Sequence, residues 1–173
     1  MTSGAFPFEA NPNPVDAADR AARLVDPGFG RVFTDHMVTI RYSDAKGWHD
    51  AKVGPRAPLT LDPATAVLHY AQEIFEGLKA YRLADGTMAL FRPEQNARRF
   101  QRSAKRLAMP ELPEDMFLQA CKQLVQVDKD WFPPVDGGSI YLRPFMIASE
   151  VFLGVKPSAE YLFMVIASSA GNY

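Results

Sequence analysis

At 173 residues, 47% of them hydrophobic, the chain is long enough to bury the core of one ordinary globular domain. Nineteen Lys and Arg against twenty Asp and Glu leave a formal net charge of −1, so overall charge favours neither nucleic acid nor an anionic membrane. A single cysteine, Cys121, excludes a disulfide framework, and the start MTSGAFPFEANPNP has neither a basic n-region nor an apolar h-region, which favours a cytoplasmic protein.

Residues 1–28 mix Pro, Asn, Asp and Ala with little apolar periodicity and read as a loosely, partly ordered arm, with a turn of helix around Asp16 to Leu24. The folded domain is expected to start near Phe29. Met37 to Tyr42 alternates as a strand does, and the following SDAKG supplies a hairpin turn. Asp62-Pro63 is a helix-start signature, predicting a short helix through Thr65 to about Tyr70. Asp-Gly inside LKAYRLADGTMALF predicts a second hairpin. Pro93 opens a helix with Arg98, Arg99, Arg102, Lys105 and Arg106 opposite Ala97, Phe100, Ala104 and Leu107, broken at Pro110. Pro113 opens another, with Phe117, Ala120, Cys121, Leu124 and Val127 on one face, ending before Pro133-Pro134. After the turn Asp136-Gly137-Gly138, the runs SIYLRPFMIAS and EYLFMVIASSA read as adjacent strands around the loop EVFLGVKPS. The longest apolar run, Tyr161 to Ala167, is too short to cross a bilayer. The fold class is α+β, a largely antiparallel sheet with flanking helices.

No nucleotide-binding glycine loop, serine-hydrolase elbow, C-x-x-C or H-E-x-x-H motif is present. His36, His49 and His69 lie on separate segments without ligand spacing, so they read as structural and no metal site is assigned. Tyr70 and Phe75 flank a helix-to-strand change; they could line a pocket, but composition alone favours core anchors. The basic helix is ordinarily a solvated face, though any one of its arginines could clamp a phosphate. Tyr141 and Arg143 alternate with Ile140 and Leu142 and so share a polar strand face; Arg before Pro144 suggests a sheet edge or a cleft rim.

With FGRVFTDHM, LHYAQEIFEGLKAYR, LFRPEQNARRF, VDKDW, YLRP, FLGVKP and ASSAGNY in one order, the stretch from Phe29 to Tyr173 resembles the branched-chain amino acid aminotransferases of the class IV, fold-type IV pyridoxal-phosphate family. The resemblance implies a small N-terminal aminotransferase domain over 29–168, with 169–173 starting an interdomain linker, and an active site completed across a homodimer interface. It implies pyridoxal 5'-phosphate as cofactor, with amino transfer between leucine, isoleucine or valine and 2-oxoglutarate; charge and the short apolar runs already point to no nucleic-acid or membrane partner. Arg99, in the N-x-x-R stretch, would bind the cofactor phosphate, while Arg98 faces elsewhere. Phe29, Phe75 and Tyr141 would form the apolar substrate pocket, with Tyr173 near its edge. Arg143 would stand near the substrate carboxylate, and Tyr70, Leu153 and Val155 would reach the neighbouring subunit's pocket.

None of Lys46, Lys52, Lys79, Lys105, Lys122, Lys129 or Lys156 sits in the family's motif for the lysine that joins the cofactor. No catalytic residue is therefore assigned, and the chain alone is expected to be inactive. Two alternatives remain open here: a D-amino acid aminotransferase or aminodeoxychorismate lyase relative, and a non-enzymatic dimerising module.

Overall fold

In chain order the elements are α1 (Ala17–Leu24), β1 (Val32–Phe33), β2 (His36–Ser43), β3 (Gly47–Pro55), α2 (Ala66–Tyr70), β4 (Glu73–Phe75), β5 (Leu78–Arg82), β6 (Met88–Leu90), α3 (Pro93–Arg106), α4 (Glu114–Val127), β7 (Ser139–Ala148) and β8 (Glu160–Ala170). They belong to a computed structural model that describes residues 4–135 and 137–171. One eight-stranded sheet carries the order β3-β2-β8-β7-β5-β6, and every pairing between named strands is antiparallel. The architecture is the α+β arrangement that the sequence predicts.

β7 and β8 pair over their full length, from Ser139↔Ala170 to Ala148↔Tyr161. They lack clean polar alternation because part of the second sheet face also carries an apolar cluster. Phe163 and Val165 join Phe100, Ala104, Phe117 and Leu124 of α3 and α4 in the main core. Leu162 and Met164, pointing the other way, meet Met37 and Ile147 in a smaller cluster.

Each central strand shares its free edge between two short strands. β2 pairs with residues 160–165 of β8 and β1 with Ser168 and Ser169. Likewise β4 pairs with Phe145–Ile147 of β7, and β5 with 139–142. Pro144 therefore does not mark a sheet edge; of the two sequence alternatives, the cleft rim is the one that Arg143 occupies. It falls where β4 gives way to β5, a position that still lets its carbonyl accept from the Glu76 N–H at 2.8 Å. The two- and three-residue strands β1 and β4 are too short to leave a period in sequence.

Three further expectations need correction. α2 runs over Ala66–Tyr70, as predicted, but Thr65 and not Asp62 stands at its start; Asp62 closes a turn, its side chain accepting from the Ala64 N–H at 2.8 Å. Leu107 is exposed at the end of α3 rather than buried opposite the charges. From Phe6 to Val15 the chain is packed where a loose arm is expected: Phe6 is buried, Pro7 and Glu9 bond to Val53, and Asn11 and Val15 donate to His36 and Asp35. Asp16 caps α1 by accepting from the Ala18 and Asp19 N–H groups. His36 is structural, its Nδ1 lying 2.7 Å from Asp128 Oδ1 in a buried pair. Both predicted hairpins form; Gly86 takes φ 82° in the second, a conformation costly for any side chain.

Candidate functional site

On the sheet face opposite α3 and α4, the outward residues of β7 and β8 leave a recess of about 190 Å³ lined by Phe29, Gly30, Tyr141, Arg143, Ile166 and Ser168. Strand alternation puts Tyr141, Arg143 and Phe145 on this face while Ile140, Leu142 and Met146 enter the core. Phe29 packs edge-on against Tyr141 with ring centroids 4.9 Å apart. A neighbouring hollow of about 360 Å³ adds Glu73, Ile74, Phe75 and Phe145, and shares Arg143 and Ile166 with the first.

Arg143 joins the two hollows. Its guanidinium carbon lies 4.4 Å from the centre of the Phe75 ring, and its Nη2 donates to the Tyr141 hydroxyl at 3.0 Å. Its Nε is buried and has no hydrogen-bond partner. The Arg143 guanidinium is always charged and lines both hollows, a chemistry that suits a carboxylate. Tyr141 can occupy its place only because residue 77 is glycine: a Cβ there would stand 2.2 Å from the phenolic oxygen.

Phe75 and Tyr70 are not core anchors, which corrects the composition-based preference. Phe75 is 64% exposed and Tyr70 43%; buried Ile74 anchors this corner instead. The alternation of β4 turns Phe75 away from the core as Ile74 turns in. Tyr70 stacks on Phe152 at 5.9 Å, on the loop that also carries the exposed Leu153 and Val155. This loop is tied to α2 through the Ala66 N–H, which donates to the Glu150 carbonyl at 2.9 Å. Tyr70, Leu153 and Val155 thus form a separate apolar group outside the Arg143 recess. Tyr173 lies outside the described residues.

Arg99 borders a third, open hollow of about 540 Å³, with Arg102, Ser103 and Arg106 on α3 and Ile74, which also lines the Phe75 hollow. Its Nε and Nη2 donate to the two carboxylate oxygens of Glu76 at 2.6 and 2.7 Å, and this contact raises its already high pKa. Asn96, one turn earlier on the same helix face, donates to Glu76 at 2.8 Å. Arg98 points away and pairs with Glu114 at 3.3 Å. The sequence reading missed Glu76 and Asn96. The signal was the three-residue spacing of Asn96 and Arg99, which puts both on one helix face, able to hold one acidic partner.

A pyridoxal cofactor carries a phosphate dianion and a flat ring, and these residues fit that chemistry in part. Among the described residues nothing hydrogen-bonds to Arg99 Nη1, and Arg99 stands beside two more arginines, while Ile74 of β4 lines both this hollow and the aromatic one. Among the described residues, no group of three or more His, Cys, Asp or Glu could hold a metal ion. Among the same residues no helix is long and apolar enough to cross a membrane.

Over its whole length the chain is 60% identical to a probable branched-chain-amino-acid aminotransferase of Streptomyces coelicolor and 56% identical to the branched-chain-amino-acid aminotransferase of Mycolicibacterium smegmatis, spanning 48% of each. Branched-chain-amino-acid transaminase 1 of Bacillus subtilis is 52% identical over 84% of the chain, which covers 41% of that protein. The chain thus spans about half the length of the curated relatives it matches. Among solved structures, a branched-chain amino acid aminotransferase with pyridoxamine 5'-phosphate superposes on 78% of the chain with TM-score 0.56 and 27% identity, over 40% of that protein. An Escherichia coli branched-chain amino acid aminotransferase, 23% identical with TM-score 0.58 over 78% of this chain and 40% of its own, shares the fold. No protein-family model matches.

Proposed function

We propose, from the premise that this chain belongs to the branched-chain-amino-acid aminotransferases, that it forms the substrate- and phosphate-binding part of a pyridoxal-phosphate-dependent enzyme. The substrates would be leucine, isoleucine and valine with 2-oxoglutarate. Residues 29–168 would be the small domain and 169–173 the start of a linker. The observation that carries the reading is the aromatic cluster of Phe29, Phe75 and Tyr141 around Arg143, with its buried and unpartnered Nε.

In this reading the aromatic walls accept a branched aliphatic side chain and exclude water from it. Arg143 takes the substrate carboxylate, and the Tyr141 hydroxyl holds the guanidinium in place. Arg99 binds the cofactor phosphate through the donors that Glu76 leaves free. When bound, the cofactor ring supplies an electron sink for the charge left at the substrate's α-carbon. Tyr70, Leu153 and Val155 would meet a second subunit: three exposed apolar side chains on two tied segments make a natural contact patch. A cytoplasmic setting belongs to the same proposal and accords with Cys121, a free thiol whose pKa burial pushes up.

The test is amino transfer to 2-oxoglutarate by the complete polypeptide that carries these residues. Branched L-amino acids are expected to be strongly preferred. Preference for D-alanine, or lyase activity on aminodeoxychorismate, would replace the reading with a relative of the same fold. No pyridoxal-dependent activity would leave the dimerising module.

A further inference from the structure

Arg99 is held in an unequal pair: its own side chain is 60% exposed, whereas that of Glu76 is 3% exposed. A carboxylate so buried is expensive unless fully hydrogen-bonded, and both of its oxygens are engaged, by Arg99 at 2.6 and 2.7 Å and by Asn96 at 2.8 Å. A stable fold does not need this arrangement, because an apolar residue at the β4–β5 turn would fill the space without a charge. A guanidinium offers five N–H donors in a rigid plane. Glu76 takes one from Nε and one from Nη2, which leaves the outer edge, Nη1 together with the second Nη2 hydrogen, pointing away from the carboxylate. That edge matches two oxygens of a phosphate.

From this geometry we infer that Glu76 is a positioning residue for phosphate: it fixes the plane and rotamer of Arg99 so that the guanidinium's outer edge is ready before a phosphate arrives. The inference rests on the assignment of Arg99 to the cofactor phosphate. Asn96 completes the device by donating to Oε2, the oxygen that also accepts from Arg99 Nη2, and it donates to the Gly77 carbonyl at 3.3 Å. Two opposed effects decide the outcome. The Glu76 charge opposes an incoming dianion, while the fixed orientation removes the entropy that a free four-torsion side chain would lose on binding. The carboxylate lies behind the guanidinium, farther from the anion than the guanidinium itself, so the orientational gain prevails.

The experiment compares pyridoxal phosphate with pyridoxal in the apo form of the complete polypeptide. Free pyridoxal closes partly to its internal hemiacetal, an equilibrium common to every variant, so the change in the ratio of dissociation constants between variants isolates the phosphate contact. Glu76→Gln is expected to cut the preference for the phosphorylated form on the order of tenfold, as loss of a charge-assisted pair predicts. Arg99→Ala should cut it at least as far, and the double variant no further. Glu76→Asp keeps the charge but withdraws the carboxylate by one methylene, and is also expected to lose preference; it carries the test if Glu76→Gln unfolds. An unchanged or increased preference in both Glu76 variants, with Arg99→Ala still deficient, would overturn the positioning role and leave Arg99 in place. Retention of the preference by Arg99→Ala would remove the phosphate assignment itself, and the inference with it.

Discussion

Two aromatic clusters lie on opposite faces of the same pair of strands. On one face Phe100, Phe117 and Phe163 meet at centroid distances of 5.4 to 6.1 Å, all nearly inaccessible. On the other, Phe29 and Tyr141 approach to 4.9 Å and Phe75 sits under Arg143, yet Phe29 is 44% and Phe75 64% exposed. The contact chemistry is similar and the coverage differs. Where α3 and α4 close over the rings, burial stabilises the fold; where no described residue covers them, the same groups stand open beside a guanidinium, the surface proposed to bind substrate.

The largest expected effect separates the two. Phe163→Ala should cost about 3–5 kcal/mol of folding stability, read from urea unfolding, because the rings around it cannot collapse into the space. A loss below about 1 kcal/mol would mean that the core is looser than its packing implies. Next, Gly77→Ala should leave the core intact but push the Tyr141 phenol aside and break its bond to Arg143. Stability should fall by about 1 kcal/mol, while the KM for a branched-chain substrate of the complete enzyme should rise about tenfold, the loss of one oriented hydrogen bond. An unchanged KM would remove Tyr141 from the pocket. The smallest effect concerns Val155, which is fully exposed: Val155→Ser should change stability by less than about 0.5 kcal/mol. If Val155 meets a second subunit, the same substitution should weaken dimerisation in light scattering.

The covered region is the more legible in sequence. Period-3.6 spacing in α3 and α4, and the two long β-like runs, mark Phe100, Phe117, Ala120, Cys121 and Leu124 as buried residues from the sequence alone. The alternation of β7 likewise places Tyr141 and Arg143 on one face. Composition misjudges Phe75 and Tyr70, because an exposed aromatic and a core aromatic have the same letter and β4 is too short to show its alternation. It cannot reveal the Glu76–Arg99 pair either, since 23 residues and a hairpin separate partners that only the fold brings together. The resemblance points to Arg99; only the geometry shows what grips it.

The central claim, that the uncovered face is built for binding rather than for stability, is tested most directly by Arg143→Met in the complete enzyme. The substitution keeps most of the side-chain length over Phe75 while removing the charge and the orphaned Nε. Unfolding free energy should stay within about 1 kcal/mol of the parent or rise, since a buried donor without a partner is removed, and the KM for a branched-chain 2-oxo acid should increase on the order of tenfold or more as the carboxylate loses a charge-assisted partner. A stability loss above about 2 kcal/mol with an unchanged KM would contradict the account and make Arg143 a structural residue.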